Sequence, residues 1–142
     1  MSAMHGHCLC GAVRIDVAEH RGFTAVCHCR MCQRWSGGLF ICVPADAAAV
    51  QVSGPVQHFR SSDIAERAFC GTCGSHLWYR AFDGDGHYAL VPGLFDGARD
   101  LPLKSEIYTD RAYSGLALPG DHPRATRAEF EAKNAHLEGD LP

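Results

Sequence analysis

The sequence predicts a mostly β domain held together by metal. Short apolar runs recur at regular intervals between turn-rich segments, helical patterning is confined to two brief stretches, and the cysteines fall in close pairs. Gly11 to Val17 alternates apolar and polar residues, with Val13, Ile15 and Val17 on one face, and reads as a half-buried strand. Phe23 to Val26 reads as a second strand that runs directly into Cys27. Arg30 to Ser36 allows a short helix, stopped by Gly37-Gly38. Leu39 to Val43 is apolar and bounded by Gly and Pro, the pattern of a buried strand. Gln51 to Val52, Gln57 to Phe59 and Glu66 to Phe69 are further strands, separated by Ser-Gly-Pro and Ser-Ser-Asp turns. Leu77 to Phe82 and Tyr88 to Val91 are joined by Asp83-Gly84-Asp85-Gly86, a hairpin signal. Thr126 and Glu129 form a capping box ahead of Phe130 and Lys133, which marks a short helix near the C-terminus.

The chain of 142 residues, 46% hydrophobic and 20% charged, suits one compact domain over residues 1–137, with 138–142 expected as a mobile tail. Thirteen Lys and Arg against sixteen Asp and Glu give a net charge of −3, so no basic field recruits nucleic acid. No apolar run approaches the roughly 20 residues that span a bilayer. Met1 to Cys10 lacks the cationic start and apolar core of a secretory signal, so a cytoplasmic protein is expected.

Eight cysteines in a reducing compartment point to metal or chemistry rather than disulfides. Random placement would give roughly 0.4 pairs at any one separation. The chain has two C-x-C pairs, Cys8/Cys10 and Cys27/Cys29, and two C-x-x-C pairs, Cys29/Cys32 and Cys70/Cys73. Residues two apart are poor disulfide partners, but a tight turn aims both thiolates at one cation. Cys8, Cys10, Cys70 and Cys73 are therefore expected to form a closed, structural zinc site. Cys27, Cys29 and Cys32 supply three thiolates within six residues and leave a fourth position for water or substrate, as a catalytic zinc requires. The alternative is a second closed site with His28, Cys42 or a remote histidine as the fourth ligand. His28, between two ligands, is expected to point away, and Cys42, in an apolar strand, to be a small buried hydrophobe.

The order C-x-C, C-H-C-x-x-C, C-x-x-C-G resembles the glutathione-dependent formaldehyde-activating enzyme family, which includes centromere protein V. Gly6-His7-Cys8-Leu9-Cys10-Gly11-Ala12-Val13 is similar to its opening strand and first cysteine pair. Val26 to Ser36 resembles its central cysteine segment, and Phe69-Cys70-Gly71-Thr72-Cys73-Gly74-Ser75 its second pair. Leu94-Phe95-Asp96 with Pro102 resembles a later region, while Tyr113 stands near a place where members often carry Trp. The resemblance runs from about Gly6 to Asp110 and implies a tent of packed antiparallel β-sheets with two zinc ions per chain. It places the structural zinc on Cys8, Cys10, Cys70 and Cys73 and the catalytic zinc on Cys27, Cys29 and Cys32. It further implies a carbon–sulfur lyase acting on a thiol–aldehyde adduct such as S-(hydroxymethyl)glutathione, with glutathione or a similar small thiol as partner. His28, His76 or zinc-bound water are the candidates for moving the proton. Arg30, Arg34, Arg60 and Arg67 are available for glutathione's carboxylates, and Trp35 and Trp78 are expected mainly to pack. The reading from a different class is a non-enzymatic zinc module that binds a protein partner.

Overall fold

The structure, a computed structural model, describes residues 3–137, 140 and 141. Its strands are β1 (Met4–His7), β2 (Arg14–Val17), β3 (Thr24–Cys27), β4 (Phe40–Ala45), β5 (Val50–Ser53), β6 (Val56–Arg60), β7 (Ala65–Cys70), β8 (His76–Ala81), β9 (Tyr88–Leu90), β10 (Leu103–Ile107) and β11 (Arg124–Ala125). Helix α1 is Arg30–Ser36 and α2 is Arg127–Lys133. No helix among the described residues is long and apolar enough to cross a membrane.

The strands form a three-stranded sheet, in the order β1-β2-β5, and an eight-stranded sheet, in the order β11-β10-β3-β4-β9-β8-β7-β6. Every expected strand is present. The first begins at Arg14 rather than Gly11, because Cys8 to Val13 folds into a turn in which Cys8 N–H donates to Val13 O and Gly11 N–H to Cys8 O. Two pairings depart from the expected antiparallel tent: β10 runs parallel to both β3 and β11. Parallel pairing joins segments distant in sequence, so local pattern does not announce it.

Period-2 alternation gives the large sheet two buried faces. Val43, Ala45, Leu90 and Trp78 face the small sheet, where Met4, Val13, Ile15 and Val17 complete one apolar cluster with Phe95 and Ala98. Phe40, Cys42 and Ala89 lie on the opposite face, covered by Met31 of α1, Phe130 of α2 and Tyr108. The two cysteine groups belong to these two clusters respectively, so the large sheet separates them.

Both helices are short and depend on their caps. The Cys29 side chain accepts from Cys32 N–H at the start of α1, and Gly37 takes φ 92° to end it, which only glycine adopts without strain. Thr126 and Glu129 make the expected capping box on α2. Of the expected tail, residues 138, 139 and 142 lie outside the described residues. The Asp140 carboxylate accepts from the backbone N–H of Arg30 and Met31 at 2.8 and 3.4 Å and pairs with Arg111 Nε at 3.2 Å.

Candidate functional site

All eight cysteines are free thiols, and seven of them meet in two groups. In each group the Sγ atoms lie within 4.8 Å of one another. Cys8 and Cys10 come from the turn after β1, Cys70 from the end of β7 and Cys73 from the turn before β8. The group thus ties the small sheet to the large one. A tetrahedral zinc with Zn–S of about 2.3 Å requires sulfurs roughly 3.8 Å apart. Cys8 and Cys10 are 3.6 Å apart, and Cys10 and Cys70 are 3.9 Å apart, so the donor set fits that metal. Backbone N–H groups already face the sulfurs: Val13 donates to Cys8 Sγ, and Thr72 and Cys73 donate to Cys70 Sγ. The turn that aims them requires Gly74 at φ 77°. A hydrogen bond from Ser75 lowers the Cys73 thiol to about 5, which favours the thiolate a metal needs.

The second group holds Cys27, at the end of β3, with Cys29 and Cys32 at the start of α1. Among the described residues no fourth ligand joins it: His28 and Cys42 lie outside. Cys29 and Cys32 are buried and Cys27 is partly so. Hydrogen bonds from Cys27 and Cys29, helped by the charge of Arg67, hold the Cys32 thiol down to about 3 against its burial. The bonds to Cys29 and Cys32, with burial, push Cys27 well above the ordinary thiol range. One thiolate is thus preformed, and a divalent cation would take the rest. Cys42 is pushed up to about 12, chiefly by burial, and remains a packed thiol.

His28 turns away from the sulfurs, as its place between two of them requires. It is fully buried, and its Nε2 lies 2.6 Å from Glu106 Oε1 on β10. The other Glu106 oxygen meets His122 Nε2 at 2.5 Å and Arg124 Nε at 3.2 Å. Burial opposes the Glu106 charge, but the bonds to His122 and His28 outweigh it and hold the carboxyl below its ordinary range. This buried carboxylate anchors the Cys27-His28-Cys29 loop to the sheet, as does the His28 N–H bond to Ile107 O at 3.1 Å. The next residue, Tyr108, has φ 56°, the left-handed region that bulky residues avoid at a cost of about 1–2 kcal/mol. It is buried against the second group and donates its hydroxyl to Glu131 on α2.

Arg67, on β7, is 3% exposed. Its Nη2 is 3.6 Å from Cys32 Sγ, and its guanidinium lies over the Tyr79 and Phe40 rings at 5.1 and 5.9 Å. No carboxylate pairs with it among the described residues, and Nη1 has no partner. A buried charge without a partner costs several kcal/mol. Three thiolates around a divalent cation carry one net negative charge, which this guanidinium matches.

Among the described residues, three cavities border α1. One, of about 360 Å³, lies between Trp35, Phe69 and His76; the other two lie nearer the second cysteine segment. The larger, about 680 Å³, lies among Arg30, Gln33, Arg34, Asp110, Arg111 and Tyr113. The smaller, about 250 Å³, is walled by Arg67, Met31, Trp35, Phe59 and Leu141. Trp35 stacks on Phe59 and on His76, and Trp78 is buried in the core. Arg60, also considered for an anionic ligand, instead donates to Asp63 O and lies over Phe82. Sequence reasoning missed Glu106, Tyr108 and the special position of Arg67. In Leu103 to Ile107 the Glu occupies what alternation alone assigns to solvent, and a left-handed tyrosine leaves no compositional trace.

The comparisons with known proteins agree with this architecture. A crystal structure of a Rhodobacter sphaeroides protein superposes with a TM-score of 0.58 at 23% identity, covering 71% of this chain and all of that one, which supports the fold. An uncharacterised lyase of Schizosaccharomyces pombe is 27% identical over 111 residues, 78% of this chain and 81% of that protein. Residues 3–111, which contain both cysteine groups, match the family model for the glutathione-dependent formaldehyde-activating enzyme. The chain belongs to that family.

Proposed function

We propose that the protein is a zinc-dependent carbon–sulfur lyase that makes and breaks a thiol–aldehyde adduct such as S-(hydroxymethyl)glutathione. The observation that carries this reading is the contrast between the two groups: four cysteines close one, while three leave the other a ligand short among the described residues. Cys8, Cys10, Cys70 and Cys73 would hold the structural zinc, and Cys27, Cys29 and Cys32 the catalytic one. A zinc in the latter group supplies a Lewis acid that keeps a thiol deprotonated near neutral pH.

In the forward direction the thiolate sulfur forms the C–S bond to the aldehyde carbon. The carbonyl π pair moves to oxygen, which takes a proton, and the reverse reaction returns each. The chain's part is to hold two small reactants together, which replaces a bimolecular encounter by an oriented one. The larger cavity offers arginines beside Asp110, a match for two carboxylates and an ammonium. His28 is committed to Glu106, which leaves His76 or a zinc-bound water as the candidate for the proton. Burial, and then the charge of Arg67, lower the His76 pKa, so its imidazole is neutral at pH 7 and able to accept.

The test is exchange between free formaldehyde and its glutathione adduct, followed by two-dimensional exchange NMR. The zinc-loaded protein should speed exchange well above buffer. Exchange at the background rate would leave the protein a zinc-stapled binding module.

A further inference from the structure

We infer that Arg67 is the anion-holding residue of the second cysteine group, donating to the charged sulfur or oxygen of the substrate rather than to its distant carboxylates. The inference rests on the lyase reading for the identity of the ligand and adds to it the residue that meets the reacting atoms.

The two cysteine groups are solvated differently. The sulfurs of the four-cysteine group meet neutral donors, backbone N–H groups and the Ser75 hydroxyl. The three-cysteine group alone has a guanidinium against one of its sulfurs, at 3.6 Å from Cys32. A closed structural site evidently needs no such charge. Arg67 is nine-tenths buried, so this charge is not a solvated surface feature that happens to lie nearby. Tyr79 and Phe40 hold the guanidinium by its face, an arrangement that leaves its edge donors directed in plane. One edge is used on Cys32, and Nη1 is unused. A buried donor left unpaired calls for an explanation, and a ligand at the neighbouring sulfurs supplies one. The cavity walled by Arg67 and Met31 reaches the guanidinium that meets Cys32, although no cysteine lines it.

The charge balance points the same way. Arg67 offsets the single negative charge of three thiolates and a divalent cation. A substrate thiolate arriving beside the group would add another, and the fixed guanidinium of Arg67 in a low-dielectric wall would favour it. When the sulfur pair becomes the C–S bond, the carbonyl π pair moves to oxygen, so the negative charge passes from sulfur to that oxygen. The same planar donor then serves the oxygen until it takes its proton.

The experiment loads the protein with Co²⁺ in both sites and follows the sulfur-to-cobalt charge-transfer band during titration with glutathione and, separately, with 2-mercaptoethanol, which has no carboxylates. R67M should keep two metals per chain and bind both thiols about ten- to hundredfold more weakly, as expected for loss of a charge-assisted donor. R67K, which keeps the charge without the fork, should keep the metals and show a smaller loss. Unchanged binding of both thiols by R67M overturns the inference. So does weakening confined to glutathione, which would place Arg67 on a remote carboxylate. Loss of the second metal from both variants would make Arg67 a counter-charge of the cysteines alone and equally overturn it. The lyase reading fails separately: a wild-type protein that binds thiols through Arg67 but does not speed formaldehyde exchange keeps the inference and loses the reaction. Rapid exchange by wild type, with thiol binding indifferent to Arg67, does the reverse.

Discussion

Replacing Glu106 with alanine should loosen the loop that carries the second cysteine group, and the loss follows from three contacts. Glu106 is 4% exposed and accepts from His28 at 2.6 Å, His122 at 2.5 Å and Arg124 at 3.2 Å. Each buried partner left unpaired costs about 1–3 kcal/mol. His28 has no exposure through which water could replace the bond, and its Nδ1 already lacks a partner. Arg124 is 40% exposed and contributes little. The sum over His28 and His122 is about 2–6 kcal/mol, a large part of the 5–15 kcal/mol typical of a domain. At about 3–4 °C per kcal/mol for a chain of this size, the melting temperature should fall by roughly 6–24 °C. Glu106→Gln keeps an acceptor for one histidine and should recover about half of that. Because the folded-state pKa of Glu106 is lowered, its contribution is fully present above the unfolded value of about 4.3. It is lost as pH falls through the folded value, so the difference between wild type and E106A should narrow there. Thermal melting of the metal-loaded proteins at pH 7 and at acid pH reads both effects. A melting point within a degree of wild type at pH 7 would refute the anchoring role.

Cys70→Ser should strip the metal that joins the two sheets, and structural zinc contributes on the order of 10 kcal/mol, as much as the whole domain's stability; normal expression with two zincs would show the closed site to be misassigned. Cys29→Ser should leave a folded protein with one zinc and little exchange activity, because its ligands lie close together in sequence and lock only a short loop. Its global unfolding would favour a second structural site. His76→Gln should flatten the acid limb of the activity profile, which in wild type lies below pH 6.5 because the His76 pKa is lowered. An unaltered limb would take His76 out of the proton step.

The cysteine groups were legible because ligand spacing within C-x-C and C-x-x-C pairs is a local property. Strands β2 to β9 were legible for a similar reason: Val13, Ile15 and Val17 alternate toward one core, and Asp83 to Gly86 marks its own turn. The expected helix at Arg30–Ser36 is present with the same limits, since its stop signal is the adjacent Gly37. What stayed hidden is what distant segments do to one another. Strand β10 pairs in parallel with β3, and its Glu106 looks like a surface residue until His28 and His122 enclose it. Arg67 likewise alternates within β7 as an ordinary polar position, and only the arrival of Cys32 and two aromatic rings makes it a buried cation.

The central claim is that one metal position is closed and the other open. Zinc K-edge absorption of the fully loaded protein tests it most directly by counting sulfur neighbours. Four ligands at one site and three at the other give a mean of 3.5 sulfurs per zinc in the free protein. Saturating glutathione should raise the mean to four, and S-methylglutathione should leave it unchanged. A count of four before any thiol is added, or one that stays at 3.5 under saturating glutathione, would contradict the account.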